Sequence, residues 1–231
     1  MAAIASLTAS PNTALPHGQF ELSAHRVEEY ICRLFTFRMD HIRKLIEESV
    51  DVKNKILANE GLLAKMDEVS NATVAALKEG HRVYFCGNGG SAADAQHLAA
   101  EFSGRFYLDR DALPGEALHC NSSYLTAVAN DYSYDLVYAR LVKGLAHKGD
   151  VLMGLSTSGN SGNIVKAFET ARDKGVITVG FTGATGGKMK DLSDYLFDVP
   201  SVNTPRIQES HIMIGHIICQ LVEERYFASV R

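Results

Sequence analysis

Short apolar runs alternate with amphipathic stretches along most of this chain. Apolar residues first recur at helical spacing over residues 27–59 and again over 61–78, which predicts two helices ahead of any strand. Apolar runs of strand length then alternate with further helical patterns. The predicted strands lie near 82–86, 116–119, 151–155, 176–181 and 195–199, and the later helices near 91–103, 122–129, 135–146, 163–174 and 206–226.

The alternation of strands and helices predicts an α/β fold in which a mainly parallel, five-stranded sheet is covered by helices on both faces. Ligands of such sheets bind beyond the carboxyl ends of the strands. The long first helix carries an apolar stripe with no strand beside it, so it packs either against another subunit or on its own domain. The first twenty residues are rich in Ala, Ser, Thr and Pro, so we expect residues 1–26 to be a disordered extension and 27–231 to form a single domain.

Composition narrows the classes of partner. The 231 residues are 46% hydrophobic and carry a net charge of −4, with basic and acidic residues interspersed, which argues against nucleic acid as the main partner. No apolar run is long enough to span a bilayer, and the first twenty residues lack the Lys or Arg of a secretory signal, so no membrane partner is expected. The four cysteines, at 32, 86, 120 and 219, form no C-x-x-C pair, which favours free thiols and a cytoplasmic location.

A predicted strand end, a glycine turn and a helix start follow one another between residues 86 and 101. Glycines at 87, 89 and 90 allow the backbone to turn sharply and to approach a ligand closely, and Ser91 starts a helix whose N-terminal amides suit an anion. His97 and Glu101 share one face of that helix, roughly 6 Å apart along its axis, so they can address the same metal or substrate. The alternative is a solvated surface pair after an ordinary glycine turn.

A second loop of the same chemical type follows the predicted strand at 151–155. Residues 156–161, S-T-S-G-N-S, place four hydroxyls at a strand-to-helix turn, which is typical of a phosphate cradle. A Ser/Thr-rich turn that caps the next helix is the simpler interpretation, but capping needs fewer hydroxyls. Neither loop matches G-x-x-x-x-G-K-[ST] or G-x-G-x-x-G, and the second loop has no lysine. A sugar monophosphate therefore fits better than ATP or NAD.

The last predicted helix mixes polar groups into an apolar stripe over 206–216. Gln208 and His216 are about 80° apart in azimuth and roughly 12 Å apart in rise, so they reach one point only if their side chains converge from opposite ends. A buried imidazole needs hydrogen-bond partners, and a satisfied core histidine is the simpler interpretation of both His211 and His216. An amide oxygen would also be an unusual zinc ligand.

Five segments carry a more specific pattern. They are C-G-N-G-G-S-A-A-D-A-Q-H-x-A-A-E at 86–101, S-G-R at 103–105, A-N-D-Y at 129–132, S-T-S-G-N-S at 156–161 and R-I-Q-E-x-H at 206–211. Together they resemble the bacterial phosphoheptose isomerases of the sugar isomerase (SIS) domain family, from about residue 40 to the C-terminus. The SIS fold is shared with transcriptional regulators and several sugar-phosphate enzymes, so the fold alone does not fix the function.

The resemblance implies conversion of D-sedoheptulose 7-phosphate to D-glycero-D-manno-heptose 7-phosphate through an enediol, the first step towards activated heptose for surface polysaccharide. It also implies one Zn²⁺ per subunit, held at the matching positions His97, Glu101, Gln208 and His216. Glu101 is then the candidate for proton transfer between carbons, and His216 for the oxygen proton or ring opening. A metal-bound carboxylate is a weaker base than a free one. Glu101 could serve as both ligand and base if metal ligands exchange during turnover, or the zinc could be mainly structural, and both alternatives are open.

The resemblance further implies which residues contact the substrate. The matching positions are Asn88, Gly89, Gly90, Ser91, Glu101, Asn130, Asp131, Ser156, Thr157, Ser158, Ser161 and Gln208. The first loop is expected at the sugar or phosphate, residues 130–131 at sugar hydroxyls and the second loop at the phosphate. Asp94 and Arg105 match positions near the site, with a helix-dipole role for Asp94 and an interface role for Arg105 as alternatives.

The resembling family assembles as homotetramers with active sites between subunits, which would give the long first helix a partner. Two other functions remain open. A non-catalytic SIS protein would bind a sugar phosphate or a replication protein, although it would not need a metal and acid-base set. A different isomerase would act on a pentose 5-phosphate or a hexulose 6-phosphate, because pocket depth sets the length of the sugar.

Overall fold

The computed structural model describes the backbone of residues 24–228 and the side chains of residues 38–228. Most of the predicted extension at 1–26 lies outside the described residues, and helix α1 (Ala24–Leu57) begins shortly before its predicted start. Contacts divide the chain into two units, Met1–Leu45 and Ile46–Arg231. The elements that follow α1 all belong to the second unit.

Five parallel strands form one sheet in the second unit. In chain order they are β1 (Val83–Gly87), β2 (Gly115–Ala117), β3 (Val151–Leu155), β4 (Ile177–Gly183) and β5 (Tyr195–Val199). Their order across the sheet is β2-β1-β3-β4-β5, and every neighbouring pair is parallel. The predicted fold class is confirmed, because each expected strand forms close to its expected place.

Among the described residues, six further helices precede, connect and follow these strands. They are α2 (Glu60–Lys78), α3 (Gly90–Ser103), α4 (Ser122–Asp131), α5 (Val137–Leu145), α6 (Gly162–Asp173) and α7 (Thr204–Tyr226). The 3-10 turn Gly187–Leu192 is additional to the predicted elements, and the 3-10 turn Tyr134–Leu136 takes the place of the first residues of the helix predicted near 135–146. Such turns are too short to show a hydrophobic period, which is why the sequence pattern did not indicate them.

Burial on both faces explains why the strands are continuous apolar runs. Strands β1 and β3 are buried along their whole lengths, and successive side chains alternate between two cores. Phe85 and Met153 face one core together with helices α2, α3 and α7. Tyr84 and Leu152 face the other core together with helices α5 and α6. The sheet is therefore covered on both faces, as predicted.

The part of α1 in the second unit buries only some of its apolar side chains. Val52 and Ile56 lie in the core, so packing on its own domain does occur. Ile46, Val50 and Leu57 are exposed instead. Packing of this helix against another subunit stays a prediction.

The predicted free thiols are present where side chains are described. Cys86 and Cys219 are buried and Cys120 is exposed, and each is free. Burial raises the pKa of Cys86 to about 12, so this thiol behaves as a small apolar side chain. The side chain of Cys32 lies outside the described residues. No helix between residues 24 and 228 is long and apolar enough to cross a bilayer.

Candidate active site

The two loops identified in the sequence leave the sheet side by side. Strands β1 and β3 are neighbours, and their register pairs Gly87 with Leu155 at the carboxyl edge. The segments that follow, 88–91 and 156–161, therefore start next to each other. This is the edge at which parallel sheets bind ligands.

Glycines shape the first loop. A Cβ atom on Gly87 would lie 2.2 Å from the carbonyl oxygen of Ser91, and Gly89 has a φ of 56°, which L residues rarely adopt. Helix α3 then begins at Gly90 with no side-chain cap at its N-terminus. The positive end of the helix is thus left available to an anion.

Asn88 links the first loop to the second. Its side-chain amide exchanges two hydrogen bonds of 2.8 Å with the amide of Asn163, and its Oδ1 also accepts from the hydroxyl of Tyr134 at 3.1 Å. Asn163 is 2% exposed and lies in the first turn of α6. These bonds fix the start of α6 relative to the glycine turn.

The second loop gathers hydroxyl groups at the start of α6. The Oγ atoms of Ser156 and Ser161 lie 3.0 Å apart, and Oγ of Ser158 accepts from the N–H group of Asn160 at 3.1 Å. Ser161 occupies the N-cap position, yet its side chain makes no capping hydrogen bond. The capping interpretation of these hydroxyls therefore does not account for them.

A cleft of about 270 Å³ opens beside the second loop. Its walls come from segments at the carboxyl ends of β3, β4 and β5 and from the first turn of α7, namely Thr157, Ser158, Asn160, Gly183, Ala184, Thr185, Ser201, Val202, Thr204 and Ile207. Many of these side chains carry hydroxyl or amide groups. Such a lining suits a polar, hydroxylated ligand.

Three of the four predicted metal ligands converge between helices α3 and α7. Nε2 of His97 lies 3.0 Å from Nε2 of His216 and 3.4 Å from Oε1 of Glu101. One donor atom from each residue lies within 4.8 Å of the others, and no other such group of His, Cys, Asp and Glu occurs among residues 38–228. Two imidazole nitrogens and one carboxylate oxygen fit a zinc site that keeps a position open for substrate.

Close helix packing brings the two imidazoles together. At Gly215, next to His216, a Cβ atom would lie 2.5 Å from Cδ1 of Leu98 on α3. His216 is only partly buried and faces His97, so the core interpretation does not apply to it. Burial and His97 lower the pKa of His216, while Glu101 opposes them. The neutral imidazole, which binds a metal or accepts a proton, is thereby favoured.

Two other polar side chains of α7 have different contacts. The amide of Gln208 donates to Oγ of Ser91 at 3.3 Å and lies against Gly90, where a Cβ atom would be 2.5 Å from its Nε2. The side chain of Gln208 therefore packs beside the first turn of α3. Its role as a metal ligand stays a prediction. His211 is buried, and its Nε2 pairs with the carbonyl oxygen of Thr182 at 3.0 Å, which confirms its core role.

Asn130, Asp131, Arg105 and Asp94 complete the set of residues identified in the sequence. Asn130 and Asp131 end helix α4, are exposed, and share a hydrogen bond of 3.0 Å. Arg105 is exposed just after α3. Asp94 lines a cleft of about 280 Å³ beside α7, and its buried Oδ2 has no hydrogen bond within the described side chains. Burial raises the pKa of Asp94 and His97 opposes this shift.

Sequence reasoning missed the residues that hold the site in place. Asn163 and Tyr134 bind Asn88, and Arg110 and Glu223 form a buried ion pair just beyond α3. A single Asn or Tyr within an amphipathic pattern gives no signal of its own. Glu223 did carry a signal, because it is a charged residue inside the apolar stripe of the last helix.

Comparisons with known proteins agree with this geometry. The family model of the SIS domain matches residues 46–183. The phosphoheptose isomerase of Aneurinibacillus thermoaerophilus is 53% identical over 188 residues, which cover 81% of this chain and 95% of that protein.

Solved structures give the same result. A phosphoheptose isomerase from Francisella tularensis matches with a TM-score of 0.77 at 33% identity, over 81% of this chain and 98% of that one. A phosphoheptose isomerase from Neisseria gonorrhoeae matches with a TM-score of 0.75 at 35% identity, over 80% of this chain and 98% of that one. Sequence and structure together therefore establish that this chain belongs to the phosphoheptose isomerase family of SIS-domain proteins.

Proposed function

We propose that this protein is an aldose-ketose isomerase that converts D-sedoheptulose 7-phosphate to D-glycero-D-manno-heptose 7-phosphate through an enediol. The observation that carries the proposal is the cluster of His97, Glu101 and His216, in a chain that is 53% identical to a phosphoheptose isomerase. The product would then enter the synthesis of activated heptose for lipopolysaccharide or other surface glycans.

The 7-phosphate is assigned to the second loop. Ser156, Thr157, Ser158 and Ser161 supply hydroxyl donors there, and the N-terminus of α6 has no side-chain cap. Hydroxyls and helix N–H groups bind phosphate without a lysine, because the helix end carries partial positive charge. A heptulose without phosphate would therefore bind weakly.

The remaining contacts to the sugar are assigned to the first loop and to the end of α4. The residues in this group are Asn88, Gly89, Gly90, Ser91, Asn130, Asp131 and Gln208. Asn88 is already engaged with Asn163 through its side chain, so its contribution to the ligand would come from its backbone and from the position of the loop.

One Zn²⁺ per subunit is assigned to His97, Glu101, Gln208 and His216. When bound, the ion would polarise the carbonyl and hydroxyl oxygens at C1 and C2. Two nitrogens and one carboxylate oxygen already converge, and they are donor types that zinc prefers. The Gln208 amide would join them by turning away from Ser91.

Proton transfer is assigned to Glu101 and His216. The ketose loses a proton from C1 and gains one at C2, so a single base that reaches both carbons serves both steps. Oε1 of Glu101 faces His97, which leaves Oε2 as the proton acceptor and allows this carboxylate to bind metal as well. His216, favoured in its neutral form, would move the proton between O1 and O2 or open the sugar ring. Each proton removed from the sugar is returned to it, so the composition of the sugar is unchanged.

Assembly as a homotetramer with active sites at subunit interfaces, in the cytoplasm, forms part of the proposal. Its support is a set of exposed apolar side chains along α1: Met39, Ile42, Leu45, Ile46, Val50 and Leu57. Buried free thiols are consistent with a reducing compartment. Residues 27–231 would act as one SIS domain preceded by an extension.

Turnover of sedoheptulose 7-phosphate tests the proposal. Aldose formation is followed before and after treatment with a chelator, after restoration of zinc, and for Glu101→Gln, which keeps the shape of the side chain but removes the base. We expect activity to depend on zinc and the variant to lose at least about 10²-fold in kcat. Glu169→Gln, on the exposed side of α6, is the matched control and should keep full activity.

Two results would count against the proposal. Folded, zinc-loaded protein that is inactive on the heptulose but active on a pentose 5-phosphate would make it a different isomerase. Inactivity on both sugars would favour a binding protein.

A further inference from the structure

A buried ion pair lies beyond the end of α3, outside the residues assigned to the reaction. Nε of Arg110 donates to Oε1 of Glu223 at 3.0 Å, and the two side chains are 3% and 2% exposed. A buried ion pair is costly unless its remaining polar atoms are also satisfied. The partners of those atoms therefore show what the pair holds in place.

The guanidinium of Arg110 binds the C-terminal end of α3. It donates to the carbonyl oxygens of Glu101 at 2.8 Å, Phe102 at 2.7 Å, Gly104 at 3.1 Å and Asp111 at 3.0 Å. The last carbonyls of a helix have no partner within the helix, so this cation takes the place of a cap. One of the capped carbonyls belongs to Glu101 itself.

The carboxylate of Glu223 binds the segment that follows α3. It accepts from the backbone N–H groups of Phe106 at 3.1 Å, Tyr107 at 2.7 Å and Leu108 at 2.9 Å. Burial acts to raise the pKa of Glu223, but these N–H groups and Arg110 outweigh burial and lower it. The carboxylate therefore remains ionised and fully bonded.

Both sides of the proposed metal cluster connect to this pair. Arg110 contacts Glu101 by donating to the backbone carbonyl oxygen of Glu101. His216 is connected to the ion pair in two ways. It precedes Glu223 by two turns on the same face of α7. Its ring also lies 5.8 Å from the ring of Phe106, whose backbone N–H group donates to Glu223. The ion pair thus connects the end of α3 to α7 about two turns beyond the point where their proposed ligands face each other.

We infer that Arg110 and Glu223 are positioning residues, which set the separation of Glu101 and His216 required to bind a divalent cation and to isomerise the sugar. This inference rests on the proposed function. Neither side chain touches the reacting atoms in this role. Loss of either one would allow the end of α3 to shift relative to α7, while the second loop keeps its own contacts.

Zinc affinity measured by competition with a chromogenic chelator tests the inference, together with kcat and KM for sedoheptulose 7-phosphate. The main variant is Glu223→Gln, which keeps shape but removes charge and turns an amide N–H towards backbone N–H donors. Arg110→Lys is the second variant, because it keeps charge but not the planar fork of donors. The control is Arg225→Gln, which removes a more exposed ion pair between α7 and Asp67 of α2.

We expect the zinc dissociation constant to rise on the order of ten- to a hundredfold in both main variants, as is typical when groups that orient metal ligands are removed. We expect kcat to fall with it, and KM at saturating zinc to stay within about threefold of wild type, because KM is governed mainly by phosphate binding. The control should match wild type at a temperature where all variants are folded. If Glu223→Gln does not fold, Arg110→Lys decides the outcome.

If both main variants bind zinc as tightly as wild type, the inference is wrong but the proposed function still stands. An equal loss in Arg225→Gln would also overturn the inference, because the effect would then reflect general helix packing. Wild-type protein that binds no zinc and turns over without metal would overturn the metal assignment and this inference together. The wild-type measurement therefore separates the two failures.

Discussion

Removing the side-chain amide of Asn163 should weaken both folding and phosphate binding, because this amide joins the two loops of the site. Asn163 and Asn88 exchange two hydrogen bonds of 2.8 Å, and Asn163 is 2% exposed. The proposed variants are Asn163→Ala, Asn88→Ala and the double substitution. Asn88→Ala leaves the buried amide of Asn163 without its partner, whereas Asn163→Ala leaves the partly buried amide of Asn88 with its bond from Tyr134.

The magnitude follows from this geometry. Two hydrogen bonds contribute about 1 kcal/mol each to the free energy of unfolding, and a buried amide left unpaired costs a further 1–3 kcal/mol, roughly. Asn88→Ala, which leaves the buried Asn163 unpaired, should therefore lower the free energy of unfolding by about 3 kcal/mol, and Asn163→Ala should lower it by about 2 kcal/mol. The double variant should lose less than the sum of the single variants by about 3 kcal/mol, because both single variants break the same two hydrogen bonds and the double variant leaves neither amide unpaired.

Urea unfolding of the four proteins gives this coupling energy, and steady-state kinetics give KM for sedoheptulose 7-phosphate. KM should rise in each variant, because residues 88–91 and the start of α6 lose their connection. Asn54→Ala, at an exposed position of α1, is the control and should stay within about 0.5 kcal/mol of wild type. A coupling energy below about 0.5 kcal/mol, or an unchanged KM, would refute the reasoning.

Three further predictions concern stability. Burial lowers the pKa of His211 to about 4 from its ordinary 6.5, against an opposing hydrogen bond to Thr182, so the unfolded chain takes up this proton first. The contribution of His211 to the free energy of unfolding should be complete above about pH 6.5 and fall by roughly 3 kcal/mol as the pH drops to about 4. If the free energy of unfolding of His211→Gln depends on pH as steeply as that of wild type over this range, the prediction is wrong. Gly159→Ala should lower the free energy of unfolding by at least about 1–2 kcal/mol, since φ is 65° and a Cβ atom would lie 2.1 Å from the carbonyl oxygen of Gly186. Gly144→Ala, where a Cβ atom has no neighbour within 4 Å, should stabilise α5 by about 0.5–1 kcal/mol, and urea unfolding that shows a loss would contradict this.

The sheet could be predicted because burial restricts the residue types within each strand. Strands covered on both faces must be apolar at every position, so β1 and β3 were visible as unbroken runs. The glycines and hydroxyls after these strands were visible for the same reason, since a turn and an anion site each restrict residue type within a few positions. Strand bounds and both loops were therefore close to the observed structure.

Contacts between distant segments were not predictable in the same way. Nothing local to Asn163 indicates that it faces Asn88, because the pairing depends on which strands are neighbours. Arg110 gave no signal either, since a charged residue in a loop is normally solvated. The capping of α3 by this side chain became visible only once the end of α7 was in place beside it.

The relation between α3 and α7 accounts for the different surroundings of Gln208 and His216. Contacts advance in the same direction along the two helices: Gln208 meets Ser91 at the start of α3, and Gly215 and His216 meet Leu98 and His97 about two turns further along. The helices therefore run in the same direction, and the rise of roughly 12 Å between the two side chains is matched by a similar advance along α3. Gln208 meets the glycine turn, whereas His216 meets the cluster further along. With the proposed roles, anion recognition would lie at the sheet edge and proton transfer further along the helices, which would suit a substrate whose phosphate and carbonyl lie towards opposite ends, as in a ketose 7-phosphate.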